Sequence, residues 1–282
     1  MRTIRDHPVR FGELAGPLVH GANVFDWQLI STQELASAVE YPFPALVDDG
    51  AVPYAPVVVD TTVHRYPTFG DAVSVDVTPT RVGDSSLELV YEVVDADGRP
   101  FSTGRMTHVT IAPEGGALGL PDAVRDRLDG MSESRDVDPG PGARETDADA
   151  HPTFEESFRI HSPHIEGSEL AYFEEYPRFA DAALESFLAD AGVDPSSVAG
   201  DRQPFRLRAW HWEFDSTVRF GSTLSVTTDI RAVTDEAVRV GHTFRTDGEV
   251  RIEGVTEYGC FDRAGEPTSF AEAVVAPLRA ET

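Results

Sequence analysis

Residues Phe158–Leu188 read FRIHSPHIEGSELAYFEEYPRFADAALESFL. The stretch begins as a strand, passes through a polar turn carrying His164 and Glu166, and continues as a helix. That helix can bury Phe179, Ala183, Phe187 and Leu188 on one face, the spacing of a 3.6-residue period. A carboxylate at the mouth of a buried helix is suited to hold and deprotonate a water molecule.

Working outward, the chain contains a second, altered copy of this stretch. Val9 and Phe11 give a short strand signal, a Gly/Pro turn follows, and Asn23 is placed to cap a helix running to about Val39. Tyr41–Pro56 is Pro-rich and is expected to be loop. Alternating apolar and polar residues predict strands at Val57–Asp60, Ala72–Arg81, Ser86–Asp95 and Phe101–Ile111, then a short helix at Pro121–Leu128. After Leu188 a loop is expected at Gly192–Gln203, then strands at Phe205–Asp215, Thr223–Ala232, Ala237–Arg245 and Glu249–Phe261, and a closing helix at Ala271–Leu278. Phe69-Gly70 and Phe220-Gly221 lie 151 positions apart, as do Ser74-Val75 and Ser225-Val226, and Glu13 and His164. After one deletion the spacing is 150, matching Asp97-Gly98 to Asp247-Gly248. A register held over a whole unit marks an internal duplication. The reading is a first unit at 1–128, an acidic Gly/Pro linker at 129–153 and a second unit at 154–282. Each unit is α+β, a curved antiparallel sheet wrapped around a long central helix.

Composition narrows the function classes. Apolar residues make up 40% of the 282, enough for real cores, and no apolar run approaches the roughly 18 residues of a membrane span. The first residues lack the apolar segment of a signal peptide, which points to a cytoplasmic protein. The net charge is −26, and all 23 basic residues are arginine. An acidic, lysine-free surface resembles that of salt-in halophiles, where concentrated salt screens self-repulsion. Such a surface repels a phosphate backbone, so nucleic acid is excluded as a partner. The single cysteine, Cys260, excludes an internal disulfide and a thiolate metal cluster, and its alternating apolar context suits a buried thiol.

The order of elements resembles the hotdog-fold thioesterases, in particular the 4-hydroxybenzoyl-CoA and short-chain acyl-CoA group. The resemblance covers nearly all of both units. It is carried by Val9-Arg10-Phe11 and Phe158-Arg159-Ile160 before the turn, by Phe69-Gly70-Asp71 and Phe220-Gly221-Ser222 opening a strand, and more weakly by Leu120-Pro121. It implies two hotdog units packed as an internal pseudo-dimer, with active sites at their interface, hydrolysing a small-molecule acyl thioester. CoA enters as part of the substrate, and no separate cofactor, membrane or nucleic acid is needed. The reading leaves open further association of chains, an acyl-ACP carrier, and a non-catalytic acyl-CoA-binding role.

The resemblance also implies roles for particular residues. The family's turn carries Asp-x-Asp before the helix, the second Asp being catalytic. Laid without gaps, that pattern falls on His164-Ile165-Glu166 in the second copy and Glu13-Leu14-Ala15 in the first. Glu166 is then the base, His164 its partner, and the first site degenerate because Ala15 cannot act as a base. Backbone N–H groups of Ala171, Tyr172 and Phe173 would polarise the carbonyl. Glu13, His20 and Asn23 could face the site from the other unit, and Arg219 and Arg65, before Arg81 and Arg231, could receive CoA phosphates. His161 and His164 lack a third ligand at a recognisable spacing, so no metal is expected. His211, between two tryptophans, reads as packing, and Glu34 and Glu175 as solvated helix faces. A hydratase is disfavoured because the Asp-x4-His arrangement is absent.

Overall fold

The computed structural model describes residues 1–135, 137, 153–193 and 200–279. The first unit runs β1 (Arg2–Pro8), β2 (Leu14–Ala15), β3 (Leu18–Val19), α1 (Gly21–Ala38), α2 (Phe43–Asp48), β4 (Val52–Val63), β5 (Ala72–Val82), β6 (Ser86–Val94), β7 (Pro100–Ile111), β8 (Ala117–Leu118) and α3 (Asp122–Met131). The second runs β9 (Thr153–Arg159), α4 (Glu175–Asp190), β10 (Arg202–Phe214), β11 (Thr223–Val233), β12 (Ala237–Thr246), β13 (Glu249–Asp262), β14 (Pro267–Thr268) and α5 (Glu272–Arg279). Most of the expected linker, and much of the loop Gly192–Gln203, lie outside the described residues.

The two meanders form one antiparallel sheet in the order β1-β5-β6-β7-β4-β10-β13-β12-β11-β9, with β8 added to β7 and β14 to β13. The join is β4 against β10, from Val58 opposite Glu213 to Thr62 opposite Ala209. At its centre Asp60 lies opposite His211, its own equivalent at a spacing of 151. The pseudo-twofold axis therefore passes through this pair, and the chain is a tandem hotdog pseudo-dimer.

The long helices lie against the inner face of the sheet because their apolar positions recur at helical spacing. In α1 the buried positions include Val24, Phe25, Trp27, Gln28, Ser31, Thr32, Leu35 and Ala36. In α4 they are Tyr176, Pro177, Phe179, Ala180, Ala183, Leu184, Phe187 and Leu188. The two sets correspond one to one at a spacing of 152, one more than in the strands. The extra residue lies in the turn before the helix, where Gly16-Pro17 in the first unit faces Gly167-Ser168-Glu169 in the second. Gly16 and Glu169 both take positive φ there, at 71° and 60°. The core joins the units directly: Phe25 of α1 sits 4.0 Å from Trp210 of β10, centroid to centroid. Burying rings of this size contributes about 1.5–3 kcal/mol each.

Three local expectations need correction. Val9–Phe11 is not a strand; β1 ends at Pro8, Val9 is buried, and Phe11 is 83% exposed in a short 3-10 turn at Phe11–Glu13. The residue that caps α1 is His20 rather than Asn23, which lies inside the first turn. Tyr41–Pro56 holds α2 and the start of β4: Pro44 is tolerated in the first turn of a helix, where N–H groups have no partner anyway. Pro53 and Pro56 fall where β4 bulges and extends beyond its pairing with β10.

Candidate active site

The mouth of α1 is built by the turn that precedes it. Glu13 accepts the Arg10 N–H at 2.6 Å and pairs with His7 at 2.8 Å, so its carboxylate fixes the 3-10 turn. The Asn23 amide donates to Glu13 O at 2.7 Å, tying the helix to that turn. His20 then caps the helix: its Nδ1 accepts from Ala22 N–H at 3.0 Å. Because a backbone N–H can only donate, Nδ1 is unprotonated and Nε2 carries the proton. His20 N–H is spent on Glu13 O and Asn23 N–H on His20 O. The Gly21 N–H, a first-turn donor with no intrahelical acceptor, finds no partner among the described residues.

Across from this helix mouth stands Asp181 of α4, from the other unit. Its Oδ2 lies 3.5 Å from His20 Nε2, and Oδ1 accepts from the Tyr258 hydroxyl at 3.1 Å. A cavity of about 280 Å³ opens between them, lined by His20, Gly21, Asp181, Tyr66, Leu207 and Arg206 among others. Gly21 is needed here because a Cβ at this position would meet Leu207 Cδ1 at 2.5 Å. Both chemical side chains reach the cavity while being closely surrounded, His20 with 22% and Asp181 with 23% of its side chain exposed.

Burial pushes the Asp181 carboxyl up to about 7, with Glu185 adding to the rise and the Tyr258 hydroxyl, Arg206 and Arg178 opposing it. Burial also pushes His20 down to about 4, helped by the charges of Arg178 and Arg206. Near neutral pH the site therefore holds a neutral histidine donor facing a carboxyl poised between its two forms.

The second helix mouth is built differently. Glu166 is half-buried and accepts from Ser168 N–H in its own turn at 2.8 Å. His164 Nδ1 faces His161 N–H at 3.2 Å, fixing its 3-10 turn as Glu13 does in the first unit. Two of the three expected carbonyl-polarising donors are spent: Ala171 N–H goes to Val218 O and Tyr172 N–H to His164 O, both at 2.8 Å. Tyr172, the counterpart of His20, donates its hydroxyl to Asp26 Oδ1 at 2.6 Å. Phe173, the counterpart of Gly21, fills the space between Phe25 and Phe214 at 5.2 and 5.1 Å. Leu29 stands in α1 where α4 has Asp181.

The phosphate-binding candidates are also engaged or remote from the cavity. Arg65 pairs with Asp95 and lies over the Phe101 ring at 3.8 Å. Arg219 is exposed and meets Leu170 through its backbone. Arg231 pairs with Asp229 at 3.0 Å. It also lines a smaller cavity of about 110 Å³ with His211 and Glu213, where no helix terminus contributes.

Of the residues the sequence singled out, His20 lines this cavity and Asn23 lies in the first turn of α1, whereas Asp181, Arg206 and Tyr258 were not among them. The available signal was the helix register. Aligning buried positions of α1 and α4, rather than the turns, sets Leu29 against Asp181 and makes a lone carboxyl on a buried helix conspicuous.

No protein-family model matches the chain, and no curated protein sequence matches it. Solved structures do. The chain is similar to a proposed oleoyl thioesterase from Lactobacillus plantarum, at 12% identity over 95% of this chain and 98% of that one, TM-score 0.73. It is also similar to the 12:0-ACP thioesterase from Umbellularia californica, at 13% identity over 92% and 93% of the two chains, TM-score 0.69. An acyl-ACP thioesterase from Bacteroides thetaiotaomicron matches at 15% identity over 92% and 96%, TM-score 0.62. These likenesses establish the fold. The chain is a double-hotdog protein, and its site geometry singles out one of the two interface clefts.

Proposed function

We propose that the chain hydrolyses an acyl thioester, releasing a free acid and a thiol, in the cleft between the mouth of α1 and Asp181. The observation that carries the reading is the cross-unit pair, a carboxyl raised to about 7 held 3.5 Å from a neutral, proton-bearing His20 Nε2 beside the free Gly21 N–H. A general base works best with a pKa near the working pH, and this carboxyl has one. Ionised Asp181 takes a proton from water as the water oxygen attacks the carbonyl carbon. Gly21 N–H and His20 Nε2–H receive the developing oxyanion, aided by the positive end of the helix dipole. Collapse of the intermediate breaks the C–S bond, and the Asp181 proton goes to the departing thiolate.

The His20 tautomer separates this reaction from elimination of water on the same fold. A histidine acting as base needs a bare nitrogen toward the substrate, and here the bare nitrogen is occupied by Ala22 N–H. Similarity to thioesterases across nearly the whole chain supports the reaction class. CoA is the carrier we favour. The test is release of free thiol from acyl-CoA and acyl-ACP substrates by wild type, Asp181→Asn and Glu166→Ala. Activity lost with Asp181→Asn alone supports the reading, and loss with Glu166→Ala alone returns the base to the second helix mouth.

A further inference from the structure

Arg206 is the cavity side chain whose charge the reaction leaves unused. In a chain with 49 acidic residues to 23 basic ones, most arginines near the core lie against a carboxylate, as Arg65, Arg178, Arg231 and Arg251 do. Arg206 has no carboxylate within 4 Å among the described residues. Its Nη2 donates to Ala15 O at 2.7 Å, in the β2–β3 hairpin of the first unit, and more weakly to Gln203 Oε1 at 3.4 Å. Gln203 is itself buried. The guanidinium is thus held between the units by one nitrogen, and its other donors keep no acceptor among the described residues. A guanidinium fixed in this way, with a free edge toward a cleft, fits a carboxylate.

We propose that the acyl group taken by this cavity is short and ends in a carboxylate, which Arg206 receives. This rests on the thioester-hydrolase reading of the same site. Cavity size assigns the anion to the acyl group and not to a carrier phosphate. Taken as rounded, a volume of 280 Å³ is about 8 Å across, the scale of a short acyl group. The pantetheine arm separates the CoA phosphates from the thioester by well over that width. Arg206 shares the cavity with His20 and Asp181 and acts on the charge of both, so it lies within reach of a substituent a few bonds from the reacting carbonyl.

The experiment compares succinyl with 4-methylpentanoyl thioesters, in which an isopropyl group replaces the carboxylate at nearly the same shape. Each is offered on pantetheine and on CoA to wild type, Arg206→Gln and Arg206→Lys. Gln keeps a donor for Ala15 O, and Lys keeps the charge, so the two separate loss of recognition from loss of folding. Wild type is expected to prefer succinyl by tenfold or more in kcat/KM on both carriers. Arg206→Gln should lose that preference, and Arg206→Lys should keep part of it. Overturning results are a wild type without the preference, Arg206→Gln retaining it, or an Arg206→Gln defect that follows CoA against pantetheine whatever the acyl group. Calorimetric binding of the non-hydrolysable thioether analogues adds a readout independent of turnover. If no thioester is hydrolysed, the hydrolase reading fails, while a succinyl preference in binding that Arg206→Gln removes still supports the anion site and its absence overturns it.

Discussion

Replacing Asp181 with Asn is expected to cut turnover steeply and, above neutral pH, to stabilise the fold. Asn has the same size and its Oδ1 can still accept from the Tyr258 hydroxyl. The folded carboxyl titrates at about 7 against an ordinary 3.8. The unfolded chain therefore loses this proton at lower pH than the native state does. The destabilisation this one group causes is absent below about pH 4, grows as pH rises toward 7, and stays in full above it. The gap corresponds to about 4 kcal/mol at most. Asn does not titrate, so the advantage of the variant should be absent at pH 4, grow through neutrality and level off by pH 8.5. Each kcal/mol raises Tm by about 2 °C or more in a chain of this size. Thermal unfolding in molar KCl at three pH values measures this, and thiol release alongside it should fall by about 10²–10⁴. A Tm difference that is flat with pH refutes the desolvation argument. A wild-type rate profile whose acid limb lies near pH 4 refutes the assignment of the base.

His20→Asn keeps an acceptor for Ala22 N–H but loses the Nε2 proton, so thiol-release assays should show kcat reduced at least tenfold with near wild-type stability. His20→Ala should lose a further ~1 kcal/mol in denaturant unfolding through loss of the cap. Gly21→Ala forces Leu207 aside and is expected to cost about 1–3 kcal/mol of stability, with a drop in kcat as the free N–H is displaced. Glu166→Ala removes one bond to Ser168 N–H, and steady-state kinetics should show turnover within a few-fold of wild type.

The fold was legible because duplication repeats its own signals. Phe69-Gly70 and Phe220-Gly221, and the alternation of the meander strands, depend on local turn and strand chemistry that sequence displays. The site was less so, for a reason of register. Strands and turns repeat at 151, or at 150 after the one deletion, but α1 and α4 repeat at 152 because the second turn holds one more residue. An ungapped comparison therefore set Glu166 opposite Ala15 and did not register Asp181 against Leu29. His20 and Asp181 are brought together only by the packing of one unit on the other, which no local pattern records. The capping role of His20 was hidden too, since histidine is an uncommon N-cap and Asn23 a better one by propensity.

A pair of identical units places like against like on its twofold axis, and fusion into one chain removes that constraint. At the axis Asp60 Oδ1 meets His211 Nδ1 at 2.5 Å, where two copies of the first unit would set Asp against Asp and two of the second His against His. The cleft obeys the same logic. The complete site takes His20 and Gly21 from the first unit and Asp181 from the second, while the converse cleft has Tyr172, Phe173 and Leu29. Neither unit paired with itself would rebuild the set, so the axis pair and the site both require the mixed arrangement. Asp60 raises the His211 pKa, chiefly through their hydrogen bond, and Glu213 adds to it. The stability this supplies is fully present below the ordinary histidine value of 6.5 and is lost as pH rises through the raised one. A double-mutant cycle with Asp60→His, His211→Asp and the exchanged pair should therefore give a coupling of about 1–3 kcal/mol at pH 6 and much less at pH 9. Denaturant unfolding measures each corner of the cycle. An exchanged pair no more stable than the sum of its single changes would show that the axis residues are neighbours without being partners.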